Sequence, residues 1–128
     1  MSASDGAAKR MWAMERVLLV EDDADVRSTL ASFLEQEGYQ VITAENGKDG
    51  LEKLGADSQP GLVLLDLMMP VMNGWEFLEE KNHGSFSRVP VLVISAVPGN
   101  PHIPGALGFL KKPVDLDRLM DFVELYCA

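Results

Sequence analysis

The chain has 128 residues, 47% hydrophobic and 24% charged, with 20 acidic against 11 basic residues and a net charge of −9. That length and balance fit one globular domain with a single core and speak against a disordered chain. The acid excess argues against a broad phosphate-binding face for direct nucleic-acid contact, and no apolar run approaches the roughly 20 residues of a membrane span.

Residues 1–14 are small, polar and aperiodic, with Lys9 and Arg10 but no long apolar stretch after them. They read as a flexible tail rather than a signal peptide, with Trp12 as a candidate contact to the domain. The lone Cys127 cannot close an internal disulfide, so nothing asks for an oxidising compartment. A cytoplasmic domain over residues 15–128 is the expectation.

Val17-Leu18-Leu19-Val20 is apolar at every position and ends in three acids. Such runs suit a parallel strand covered on both faces. Leu62–Leu65, ended by Asp66, and Val89–Ile94, ended by Ser95, repeat the form; Pro90 falls near the start of its strand, where a missing N–H is tolerated. Gln40–Ala44 and Leu107–Lys111 read as weaker strands. Between them lie helical patterns. Val26, Leu30, Phe33 and Leu34 recur at helical spacing until Gly38. Asn46-Gly47 makes a turn before Leu51 and Leu54, and Gly74 opens a segment with Phe77 and Leu78 followed by polar Glu79, Glu80 and Lys81. The last helix carries Leu116, Leu119, Met120, Val123 and Tyr126, with Asp115 and Asp117 at its positive end.

Alternating strands and helices predict an α/β fold: a flavodoxin-like, doubly wound, five-stranded parallel sheet in the order 2-1-3-4-5. Its crevice lies at the carboxyl ends of strands 1 and 3. Glu21, Asp22 and Asp23 follow strand 1 and Asp66 ends strand 3, so carboxylates meet across neighbours roughly 4.8 Å apart. Carboxylates this close repel, and a hard divalent cation removes the penalty. Mg²⁺ suits a few carboxylates, a backbone carbonyl and water. Ser95 and Lys112 end the next two strands at the same edge. Singly, Ser95 reads as an ordinary strand-ending hydrogen-bonder and Lys112 as a solvated lysine; beside a metal they are the groups that hold phosphoryl oxygens.

In this arrangement the chain resembles a response-regulator receiver domain (CheY-like) of bacterial two-component systems. The residues that carry the likeness are Val17–Asp23, Leu64-Leu65-Asp66-Leu67-Met68-Met69-Pro70-Val71-Met72-Asn73-Gly74, Val93-Ile94-Ser95-Ala96 and Phe109-Leu110-Lys111-Lys112-Pro113. The resemblance implies that Asp66 is the phosphoacceptor, and that Glu21 and Asp22 are the metal-binding acidic pair, Asp23 being a neighbour unless the pair is shifted by one residue. It implies further that Met68 offers its backbone carbonyl, that Ser95 supplies the hydroxyl and Lys112, beside Pro113, the phosphate-binding lysine. Phe109 stands where the family has its switch aromatic, and equally where an ordinary core phenylalanine would be. The implied cofactor is Mg²⁺. The implied partners are a sensor histidine kinase or histidine phosphotransfer protein and a downstream effector, through which output is expected to pass unless the sequence is an excised piece.

Two other classes share some of these features. A Mg²⁺-dependent hydrolase with an aspartyl nucleophile would need a second acid two residues after Asp66, where Met68 stands, and a cap domain. A phosphorylation-independent pseudo-receiver would not need the phosphorylation residues, which are all present. One segment departs from the family. Where a full fourth helix is usual, the eleven residues from Ala96 to Ala106 contain Pro98, Pro101 and Pro104 with Gly99 and Gly105. Each interior proline costs a helix about 3 kcal/mol. The fourth helix is therefore expected to be missing or reduced to a turn, leaving the sheet partly uncovered there, with Val97, Ile103 and Leu107 to patch that face or offer it to a partner, and the family's usual dimer through that helix put in doubt. His102, with no second ligand near it, reads as a loop residue.

Overall fold

A computed structural model describes residues 16–56, 60–99 and 101–127; the tail expected over 1–14, with Trp12, lies outside them. The elements are β1 (Arg16–Val20), α1 (Ala24–Gln36), β2 (Gln40–Ala44), α2 (Gly47–Gly55), β3 (Leu62–Leu65), α3 (Gly74–Asn82), β4 (Val91–Ser95), β5 (Gly108–Lys111) and α4 (Leu116–Cys127). The five strands form one parallel sheet in the order β2-β1-β3-β4-β5.

Two-sided burial explains why Val17–Val20, Leu62–Leu65 and Val91–Ile94 are apolar throughout. Successive side chains of a strand face opposite sides of the sheet. Val17, Leu19, Leu62, Leu64, Leu92 and Ile94 pack with Leu30 and Leu34 of α1 and Leu119 and Val123 of α4. Leu18, Val20, Val63, Leu65, Val91 and Val93 pack on the other side with Leu54 of α2 and Phe77 and Leu78 of α3. Burying such side chains contributes roughly 1.5–3 kcal/mol each.

Among the described residues, no helix forms between β4 and β5; there are bends and a turn at Pro104–Gly105, where Gly99 and Gly105 take left-handed φ of 80° and 88°. The expected bare patch does not appear over β4, whose residues are fully buried. Ile103, 6% exposed, joins the core on that face, with Val97 and Ala106 against it. Leu107 stays 38% exposed and does not serve as the patch.

Two side-chain placements are not those that residue type alone suggests. Lys81, polar like Glu79 and Glu80 before it, is 2% exposed, its Nζ donating to the Ser87 carbonyl at 3.2 Å and to Asn82 Oδ1 at 3.4 Å. The turn over 83–88 folds back over it, and burial lowers its pKa. On α4, Leu116 and Tyr126 face solvent at 37% and 39% exposure, while Cys127 is buried in their stead with Leu119 and Val123.

The β3–α3 connection sets the site. Asn73 caps α3, accepting from the Glu76 N–H while the Glu76 carboxylate accepts from the Asn73 N–H, a reciprocal capping box. Gly74 N–H donates to the Leu67 carbonyl at 2.9 Å. A Cβ at Gly74 would lie 2.6 Å from the Asp66 carbonyl oxygen and 2.7 Å from Leu67 Cα, both backbone atoms. Gly74→Ala is therefore expected to destabilise by about 2–3 kcal/mol, pushing α3 off the Asp66 loop. Gly55→Ala, with nothing within 4 Å of the new methyl, should be neutral or stabilising. Denaturant midpoints of the two variants check this contrast; equal midpoints would contradict it. In the same loop Val71 has φ 69°, with the Met72 N–H donating to the Pro70 carbonyl at 2.8 Å. This γ-turn is a strained conformation for a β-branched residue.

Candidate functional site: an acidic crevice at the strand ends

Register brings the acids together. Val20 pairs with Leu65, so Glu21 and Asp66 are the next residues of neighbouring strands. The backbone ladder runs on past the strands, the Asp66 N–H donating to Val20 O and the Glu21 N–H to Ala44 O, each at 3.0 Å. One carboxylate oxygen from each of Glu21, Asp22 and Asp66 falls within 4.8 Å of the others. Glu21 and Asp66 are buried and Asp22 is exposed.

Lys112 closes the crevice from β5, across a cis bond to Pro113. Its N–H donates to the Ser95 carbonyl at 2.9 Å, and its Nζ lies 2.5 Å from Glu21 Oε1 and 3.6 Å from Asp66 Oδ2. Lys111, next to it, is exposed and absent from the crevice. Ser95 is fully buried, and its Oγ is a buried side-chain atom without a hydrogen-bond partner among the described residues. An unsatisfied buried hydroxyl costs about 1–3 kcal/mol, and an oxygen bound at this edge would satisfy it.

Asp23 stands apart from this group. Its Oδ1 accepts from the Asp25 and Val26 N–H groups at 2.9 and 3.1 Å, which makes it the N-cap of α1. Both Glu21 oxygens are engaged, Oε1 by Lys112 and Oε2 by the Asp23 N–H at 3.1 Å. Asp22 has no side-chain hydrogen bond among the described residues. Phe109 is half-buried against the core, beside a 500 Å³ groove shared with Arg118 and Phe122. Met68 is 61% exposed. His102 is exposed and outside the acidic group.

No motif pointed to the contact Arg27 makes here: its Nη1 donates to the Glu21 carbonyl at 2.8 Å and the Asp22 carbonyl at 3.3 Å. Its acceptors are main-chain atoms, which no side-chain motif announces.

Burial pushes the Glu21 carboxyl up to about 7, against the hydrogen bond from Lys112, with Asp66 adding repulsion. Asp66 is raised as well, chiefly by burial and against the charge of Lys112. Burial alone would lower Lys112, but its hydrogen bond to Glu21 and the charges of Asp66 and Glu21 carry it above its ordinary range. The crevice thus holds more negative charge than one ammonium offsets. The donor set, hard oxygens with one exposed carboxylate free, fits a Mg²⁺ ion.

A pH dependence follows for the protein in chelator. With the folded-state Glu21 near 7 and the unfolded-state value near 4.5, the folded chain binds the extra proton between those values. Its stabilising effect is complete below about pH 4.5 and is lost as pH rises through about 7, on the order of 2–3 kcal/mol in all. Denaturant midpoints across that range in EDTA should fall with rising pH; midpoints that rise instead would contradict the charge balance described.

A family model described as the response regulator receiver domain matches residues 17–124. Protein PilH of Pseudomonas aeruginosa is 32% identical over 123 residues, covering 90% of this chain and 99% of that protein. Transcriptional regulatory protein CrdR of Helicobacter pylori is 36% identical over 110 residues, covering 82% of this chain and 51% of that protein. The chain thus spans about half the length of CrdR. Among solved structures, the response regulator TrrA of Thermotoga maritima, in complex with Mg²⁺ and BeF, superposes with a TM-score of 0.76 at 28% identity, covering 88% of this chain and 98% of that one.

Proposed function

The chain belongs to the response-regulator receiver domain family, and we propose that Asp66 accepts a phosphoryl group from a phosphohistidine and thereby switches a protein-interaction surface. The observation that supports this best is the grouping of a buried Asp66 with Lys112 at 3.6 Å and a fully buried Ser95 hydroxyl that lacks a partner. An Asp66 carboxylate oxygen attacks phosphorus, the O–P bond forms, and the P–N bond to the donor imidazole breaks. The departing electron pair stays on that ring nitrogen. Such transfers ask for positioning and charge neutralisation more than for covalent help.

Glu21, Asp22, Asp66 and the Met68 carbonyl would hold Mg²⁺, which when bound neutralises charge on the phosphoryl oxygens. Lys112 neutralises a further share, swinging between Glu21 and the phosphoryl group. Ser95 donates its hydroxyl to a phosphoryl oxygen and draws its loop inward. The phosphate adds close to two negative charges at a buried edge, and Phe109, one strand away from Ser95, relays the change as the switch aromatic. The partners are a sensor histidine kinase or phosphotransfer protein and a downstream effector, in the cytoplasm. No helix among the described residues is long and apolar enough to cross a membrane.

Beryllofluoride with Mg²⁺ tests this reading as a phosphoryl mimic. Amide shifts are expected at Asp66, Ser95 and Lys112 and out to Phe109. Spectra unchanged by beryllofluoride would overturn the proposal.

A further inference from the structure

We infer that Arg27 is a positioning residue for the cation site: by clamping two consecutive main-chain carbonyls it holds the Asp22 carboxylate beside Asp66. The inference rests on the reading of Glu21, Asp22 and Asp66 as a Mg²⁺ site.

The three acids are not held equally. Asp66 continues β3 and has its N–H bonded to Val20 O. The Glu21 side chain is buried and fixed at both oxygens, by Lys112 and by the Asp23 N–H. Asp22 has neither support. It is exposed, it lies between the end of β1 and the N-cap of α1, and its carboxylate makes no hydrogen bond among the described residues. Only its backbone can keep it within 4.8 Å of the other two acids.

Arg27 supplies that restraint. It stands one turn into α1, its N–H bonded to the Asp23 carbonyl at 2.9 Å, and its Nη1 reaches back to Glu21 O at 2.8 Å and Asp22 O at 3.3 Å. One nitrogen shared by the Glu21 and Asp22 carbonyls restricts rotation of the two peptide planes that flank the Asp22 Cα. Groups that orient ligands in this way typically govern metal affinity by 10–100-fold.

The guanidinium also carries charge, and the two roles oppose each other. A cation near the crevice weakens Mg²⁺ binding, so its removal as a mere charge would tighten it. Its removal as a clamp would loosen it.

The experiment is a Mg²⁺ titration of the full chain followed at the Asp22 and Asp66 amides by NMR, with melting in EDTA as a fold control. Arg27→Met is expected to weaken Mg²⁺ binding roughly tenfold, and Arg27→Lys, which keeps a donor of similar reach, to recover part of that loss. Binding unchanged or tightened in Arg27→Met would overturn the inference. So would a loss that Arg27→Lys leaves wholly unrecovered, because loosened packing of α1 would then account for it. Should Arg27→Met fail to fold, Arg27→Gln gives the same reading with amide donors too short for both carbonyls. A wild-type chain that binds no Mg²⁺ would overturn the site assignment itself rather than the role of Arg27.

Discussion

Asp66→Asn is expected to abolish phosphorylation altogether while leaving the protein folded. The amide keeps the shape of the carboxylate but is not a nucleophile toward phosphorus. Asp66 sits 4% exposed in a crevice that already holds buried Glu21, and burial has raised its pKa. The variant therefore sheds a charge that the metal-free fold tolerates poorly, and should melt higher than wild type in EDTA. Loss of phosphate acceptance with a lowered melting temperature would mean that the substitution damages the fold and says nothing of the chemistry. A phosphate still accepted by the variant would remove Asp66 from its role.

Lys112→Ala is expected to have the second largest effect, and on two quantities at once. Its Nζ is the counter-charge of Glu21, whose side chain is fully buried. Removing one partner of such a pair leaves an uncompensated charge and costs about 3 kcal/mol, less where Glu21 takes up a proton. The same change removes a cation aimed at Asp66, for which a loss of roughly 100-fold in phosphoryl-transfer rate is expected. Lys111→Ala, at an exposed position on the same strand, should stay within about 0.5 kcal/mol of wild type and keep its rate. Urea midpoints and acetyl phosphate kinetics on the pair check this. Wild-type rates in both variants would show that neither lysine serves the transfer.

The legibility of this chain varied with the kind of force involved. Runs such as Leu62–Leu65 were readable because a strand covered on both faces has no polar position to obscure it. The acids at the ends of β1 and β3 were readable because the strand order makes these strands neighbours whose carboxyl ends share one crevice; the register that pairs Val20 with Leu65 comes from the structure. The β4–β5 connection was readable in part: its prolines and glycines disfavour a helix, but nothing in their spacing said that Ile103 would fold inward over β4. The burial of Lys81 was not legible, because it is set by the turn over 83–88, a tertiary effect that local polarity does not report. Leu116 and Tyr126 fit the helical stripe by type, yet α4 is rotated so that Leu119, Val123 and Cys127, at spacing four, form its buried line. The 2.5 Å pair between Glu21 and Lys112 joins residues 91 apart in sequence, and only the assembled sheet brings them together.

Loading of a phosphoryl group onto Asp66 with Mg²⁺ present is what the crevice is proposed to do. Intact-mass and peptide measurement after incubation with acetyl phosphate tests it most directly, run in Mg²⁺ and in EDTA. The expected result is one added phosphoryl group, labile to base, on the peptide containing Asp66, formed in Mg²⁺ and absent in EDTA. A chain that gains no phosphate in Mg²⁺, or gains it on another residue, would contradict the account.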